Sequence, residues 1–133
     1  MHNNYQVEIR FADIDVMGHV NNAVYFSYFE QARISFFNEL VGKDWDWYEL
    51  GILLARNEID YKQPVLMSDH VIIRTRCEHV GNTSLVFAYD IYRTPKGQTE
   101  ATIAAQGKSV LVCFDYKKQQ KIKVPAEWKE RLA

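Results

Sequence analysis

Only two of the 133 residues are cysteine, and Cys77 and Cys113 stand in separate apolar runs without metal-ligand spacing. No disulfide framework organises such a chain; two reduced core thiols are expected, with a single disulfide between them as the alternative. The four histidines, His2, His19, His70 and His79, do not cluster into a recognised metal motif, so neither a metal nor another cofactor is expected. Neither charge sign is in excess. Sixteen basic against 17 acidic residues leave a net charge of −1, which gives no general attraction for nucleic acid or for anionic membranes. No apolar run approaches the roughly 20 residues that a membrane-spanning helix needs. No signal-peptide pattern opens the chain, which is expected to be cytoplasmic.

What is present is ample apolar material. Hydrophobic residues make up 47% of the chain, enough for a core in one domain of this size, residues 1–133. Tyr5, Val7, Ile9 and Phe11 alternate with Gln6, Glu8 and Arg10, the period of a strand with one buried face. Asp13, Asp15 and Gly18 then favour turns, and Asn21 and Asn22 are good helix caps. The spacing predicts a helix from about residue 22, with Tyr25, Phe29, Ala32, Phe36 and Leu40 recurring at helical intervals. Val24, Tyr28 and Phe37 widen the apolar face until Gly42 offers a stop, so this helix is expected to be buried on most sides.

The segment from Phe11 to Tyr25 therefore brings acid, glycine, histidine and amides to the start of an apolar helix. A helix N-terminus carries free N–H donors and the positive end of the helix dipole, and can hold a carbonyl oxygen on which charge develops. A carboxylate at Asp15 could attack an activated carbonyl or take a proton from water. Both roles suit hydrolysis of an acyl compound such as a thioester. The same residue types also serve as plain helix caps, and a lone histidine beside a turn is commonly structural.

Beyond the helix, residues 43–50 are rich in Trp, Tyr and Asp and read as a loop or short helix. Ile52 to Val65 reads as extended and ends at Pro64. Val71, Ile73, Thr75 and Cys77 alternate as a strand, Gly81-Asn82 makes a hairpin turn, and Leu85 to Ile91 form the next strand. Pro95-Lys-Gly97 turns into a long strand from about Thr99 to Phe114. Pro125 begins a terminal helix through Leu132, expected at the periphery. One helix and a meander of long antiparallel strands predict an α+β domain whose sheet wraps the central apolar helix. A second sheet face must then meet water or another subunit, which predicts a homodimer or homotetramer.

The run Asp13-x-Asp15-x-x-Gly18-His19-Val20-Asn21-Asn22-x-x-Tyr25, followed by a helix carrying Glu30 and Arg33 and later by Asn57-Glu-Ile-Asp-Tyr-Lys-Gln-Pro64-Val, resembles the 4-hydroxybenzoyl-CoA thioesterase family of hotdog-fold enzymes. Its His-Val-Asn-Asn portion is similar to the acyl-ACP thioesterases. The resemblance covers nearly the whole chain and implies a hotdog fold, no cofactor, an acyl-CoA or acyl-ACP substrate, and active sites formed between subunits.

Residue by residue, the resemblance gives Asp15 the catalytic carboxylate and places a polarising backbone N–H near Asn22, with His19 and Asn21 in or beside the site. Tyr25 closes the motif and is expected to touch substrate. The turn Gly81-Asn82-Thr83-Ser84 matches the region where pantetheine or nucleotide is often held. The paired arginines found there in some members are missing, and a plain hairpin turn is the alternative. Glu58 lies on the strand expected beside the helix. Some hotdog enzymes use a glutamate from another element as base or nucleophile, but this chain does not show that arrangement, so Glu58 is a helper at most and Asp15 the primary acid. Arg56, Lys62, Arg74, Arg76 and His79 could meet coenzyme A phosphates or be solvated strand residues. Phe26, Phe29, Trp45, Trp47 and Tyr48 could line an acyl pocket or be core. A hydratase on the same scaffold and a noncatalytic acyl-thioester-binding module are the competing functions.

Overall fold

A computed structural model describes residues 1–132. The first strand, β1 (His2–Val7), begins earlier and ends sooner than the alternation predicts. Residues 8–10 leave the sheet because a 3-10 turn, Phe11–Asp13, closes on itself: the Asp13 carboxylate accepts from the Arg10 backbone N–H at 3.0 Å and from the Arg10 guanidinium at 3.1 Å. Phe11, the last apolar residue of the expected strand, is 86% exposed.

The long helix α1 (Val24–Val41) starts two residues later than expected and stops at Gly42, whose φ of 80° suits glycine. Its buried residues, Tyr25, Tyr28, Phe29, Ala32, Arg33, Phe36, Phe37 and Leu40, form one broad stripe. The expectation of burial on most sides is corrected, since Glu30, Gln31, Ile34, Asn38 and Glu39 face outward. Four long strands follow: β2 (Gly51–Tyr61), β3 (His70–Val80), β4 (Ser84–Thr94) and β5 (Thr102–Asp115). A two-residue strand, β6 (Gln120–Lys121), and a terminal helix, α2 (Ala126–Leu132), complete the order.

The sheet is antiparallel with order β1-β3-β4-β5-β2, and β6 pairs with β5. β1 and β2 are therefore its edges. α1 lies across the sheet, with Phe29 stacked on Tyr89 of β4 at 4.2 Å between ring centroids. Gly107 in β5 permits this approach: a Cβ there would lie 2.5 Å from the Phe29 ring and 2.6 Å from the Glu58 carbonyl. Here the sheet wraps its helix as a hotdog fold does.

The terminal helix corrects a second expectation. α2 is part of the core, with Trp128 and Leu132 buried and Trp128 packed 5.5 Å from the Phe37 ring and 5.6 Å from that of Trp45. The segment 43–50 is a loop whose Trp45 and Trp47 join this aromatic cluster. Both cysteines are free thiols, Cys113 fully buried and Cys77 half-buried. No described helix is long and apolar enough to cross a membrane.

Candidate active site at the start of the central helix

The loop before α1 is built by backbone pairing. Asp15 N–H donates to the His19 carbonyl at 2.9 Å, and Gly18 N–H to the Asp15 carbonyl at 3.0 Å. Gly18, with φ of 81°, supplies the reversal. Val20 N–H then reaches the Val65 carbonyl at 2.9 Å, and Asn21 N–H the Asp13 carbonyl at 2.8 Å. These bonds fasten the loop to the segment after β2 and fix the entry into α1.

Within this loop the two aspartates have different surroundings. Asp13 is buried and accepts the Tyr28 hydroxyl at 2.8 Å in addition to its Arg10 contacts. Burial works to raise its pKa, but the Arg10 backbone N–H, the Tyr28 hydroxyl and the Arg10 guanidinium outweigh it and hold the carboxyl below its ordinary value. The same contact, with burial as the larger cause, raises the Tyr28 phenol well above its usual range. Asp13 is thus a structural anion.

Asp15 is half-buried and opens onto a cavity of about 370 Å³. Its Oδ1 accepts the Met17 N–H at 2.9 Å and the His19 N–H at 3.4 Å. Oδ1 thus orients the carboxylate, and Oδ2 carries no protein hydrogen bond among the described residues. Asn21 takes the Ala23 N–H on its side-chain oxygen at 2.9 Å, and its carbonyl takes the Val24 N–H at 2.9 Å. The Asn22 N–H, between them, has no acceptor among the described residues. Capping by Asn21 comes from two residues before Ala23, so neither asparagine is the residue directly preceding the helix.

Asp15, His19, Asn22 and Tyr25 all line this cavity, joined by Lys62 and Gln63 from the segment after β2. Asn21 does not line it; its side-chain oxygen is committed to the Ala23 N–H at the helix entry. Tyr61, at the end of β2, was not singled out by sequence. Its hydroxyl donates to the Asn22 carbonyl at 2.7 Å, and its ring meets Tyr25 edge-on at 5.1 Å. Burial raises the phenols of both Tyr25 and Tyr61, so both are neutral donors near pH 7. A strand pattern shows that Tyr61 alternates, but not that β2 ends against a helix entry.

Other expected residues lie elsewhere in the fold. Glu58 pairs with Arg56 at 3.1 Å and borders a different cavity with Arg76 and Lys108. The turn Gly81-Asn82-Thr83-Ser84 sits at the far end of β3, about 30 Å of strand from the Asp15 end. Its carbonyls at Asn82 and Thr83 accept from Val124 and Cys113, tying the turn to the chain after β6 and to β5. Phe29 is core, Trp45 and Trp47 pack on Trp128, and none of these rings lines the Asp15 cavity. No described group of three His, Cys, Asp or Glu is placed to hold a metal.

An antiparallel sheet wrapped round one long apolar helix is the architecture of the hotdog-fold thioesterases. Residues 9–132 match the model of the thioesterase-like superfamily, and the chain belongs to that family. It is 28% identical over 131 residues to the long-chain acyl-CoA thioesterase FadM of Escherichia coli (strain K12), covering 96% of this chain and 94% of FadM. Among solved structures it is similar to a thioesterase from Thermus thermophilus complexed with coenzyme A and Zn, at 34% identity and TM-score 0.79, covering 97% and 90% of the two chains. A 4-hydroxybenzoyl-CoA thioesterase mutant complexed with 4-hydroxybenzoyl-CoA shares the fold at TM-score 0.86 and 18% identity, covering 99% of each chain.

Proposed function

We propose that the protein hydrolyses acyl-CoA thioesters to the free carboxylic acid and coenzyme A, with Asp15 as the catalytic carboxylate. The observation that carries this reading is that Asp15, whose Oδ2 is free, and Asn22, whose N–H is unpartnered just before α1, line one cavity. The thioester carbonyl oxygen accepts from that N–H as negative charge develops on it. Asp15 either attacks the carbonyl carbon, expelling the coenzyme A thiolate and leaving an acyl anhydride that water opens, or removes a proton from the attacking water. His19, Tyr25 and Lys62 border the same space and shape the approach of substrate. The coenzyme A and long-chain ligands named for FadM and the Thermus thermophilus enzyme support this substrate class.

The working unit is a homodimer. The outer edge of β2 has no partner strand in the protomer, and Leu53 and Leu54 on it are 44% and 45% exposed. Within one chain the 81–84 turn lies too far from Asp15 to hold the nucleotide there, so such a role for it requires a second subunit.

The test is free-thiol release from short, long and aromatic acyl-CoAs and from an acyl-ACP, comparing wild type with a folded Asp15→Asn variant. Turnover is expected in wild type and a loss of at least about a hundredfold in the variant. Equal turnover by both proteins removes Asp15 from the chemistry. Turnover confined to acyl-ACP changes the carrier and keeps the site.

A further inference from the structure

Arg33 is the most unusual charge in the fold. It lies on the buried stripe of α1, 6% exposed, and its Nη1 donates to the hydroxyls of Tyr89 and Ser109, each at 3.3 Å. Ser109 donates its own proton to the Asn57 side-chain oxygen of β2 at 2.5 Å. Two neutral hydroxyls do not balance a guanidinium. No carboxylate of the described residues lies within 4.0 Å of it. A buried cation without a counter-ion is costly, and an anion supplied from outside the protomer relieves that cost.

The direction from which an anion could come is open. Arg33 forms part of the wall of a groove of about 530 Å³ between α1 and the edge strand β2, lined mainly by apolar groups such as Ile34, Trp47 and Leu54 together with Asn38 and Tyr116. Glu30 stands on the same wall, one helical turn before Arg33, exposed and without an ion pair among the described residues. The groove thus carries one unbalanced cation and one unbalanced anion, at positions i and i+3 of one helix.

We propose that Arg33 is neutralised by the partner subunit's Glu30, and that Glu30 of each subunit reciprocally closes this groove in the homodimer. The inference rests on the dimer reading above and adds the charges that fix its register. A twofold axis normal to the sheet at the β2 edge sets the two copies of β2 antiparallel and their α1 helices antiparallel on the same face. In that arrangement a Glu30–Arg33 contact generates its own mate, because exchanging the subunits exchanges the two ends of the pair. Ile34, 54% exposed in the protomer, is covered by the same contact. The groove's charges match another copy of this chain, whereas a generic apolar ligand would leave Arg33 unbalanced.

Glu30→Arg and Arg33→Glu each place like charges across the axis, so each variant alone is expected to raise the dimer dissociation constant at least tenfold in sedimentation velocity. Mixing the two restores two opposite-charge pairs, and a mixed dimer tighter than either homodimer is expected. An ion pair within one helix cannot be repaired by mixing. Recovery therefore supports the intersubunit pair, and weakened variants without recovery overturn it. A wild-type affinity for Glu30→Arg overturns it as well, with the dimer intact. If Arg33→Glu does not fold, Glu30→Gln decides: loss of most of the wild-type salt dependence of dimerisation supports the pair, and an unchanged dependence overturns it. A monomeric wild type that still releases thiol from acyl-CoA overturns both pair and dimer while leaving Asp15 chemistry standing.

Discussion

Two aspartates two residues apart have different surroundings in the loop before α1. Asp13 is buried under donors from Arg10 and Tyr28, while Asp15 keeps one oxygen clear. Tyr28→Phe removes one donor from a buried carboxylate and should cost about 1–3 kcal/mol in urea unfolding. The pH dependence follows from the sign of the shift. With its pKa lowered in the fold, Asp13 contributes stability that is present above the unfolded carboxylate value of about 3.9 and is lost as pH falls through the folded value. Asp13→Asn should therefore lower stability near neutral pH and flatten the acid limb below about pH 4, measured by denaturant midpoints across pH. Much of this site was legible. The spacing of Asp15, Gly18, His19 and Asn22 before an apolar helix marked the loop, but the separate fates of Asp13 and Asp15 depend on Tyr28, which lies 15 residues from Asp13 in sequence.

Among the elements, α2 shows how a short helix can matter more than its length suggests. The spacing Pro125 to Leu132 predicted a helix, and the helix is there, yet its place in the core was not legible. Its single indole fills the gap between α1 and the 43–50 loop, against Phe37, Trp45 and Trp47. Trp128→Ala should cost about 3–5 kcal/mol in chemical denaturation. The buried Trp128 N–H has no hydrogen-bond partner among the described residues, so Trp128→Phe should cost clearly less, because it removes an unsatisfied donor together with some volume. A midpoint for Trp128→Ala within error of wild type would place α2 outside the cooperative unit. The β1 boundary followed the same logic: alternation continues to Phe11, but the Arg10–Asp13 contacts end the strand at Val7.

For the whole molecule, the two thiols report on cooperativity. Burial pushes both Cys77 and Cys113 up to about 11, so little thiolate exists at pH 8. Cys77, half-buried, should react slowly with a disulfide reagent in the native state, while Cys113 should react only as the sheet opens. The Cys113 rate should rise in step with the unfolded fraction across denaturant, and native-state labelling of Cys113 at the Cys77 rate would contradict the placement of β5.

The sequence by itself determined the helix, the order of long strands, the turns at Gly81 and Pro95, and the loop that carries Asp15, because periodicity and turn chemistry act over a few residues. Only the tertiary structure decided which aspartate is free, that Tyr61 braces the Asn22 carbonyl, that Trp128 is core, and that Arg33 is buried without a counter-ion among the described residues. Each of these depends on contacts between distant segments, and local spacing carries no information about what a side chain meets across the sheet.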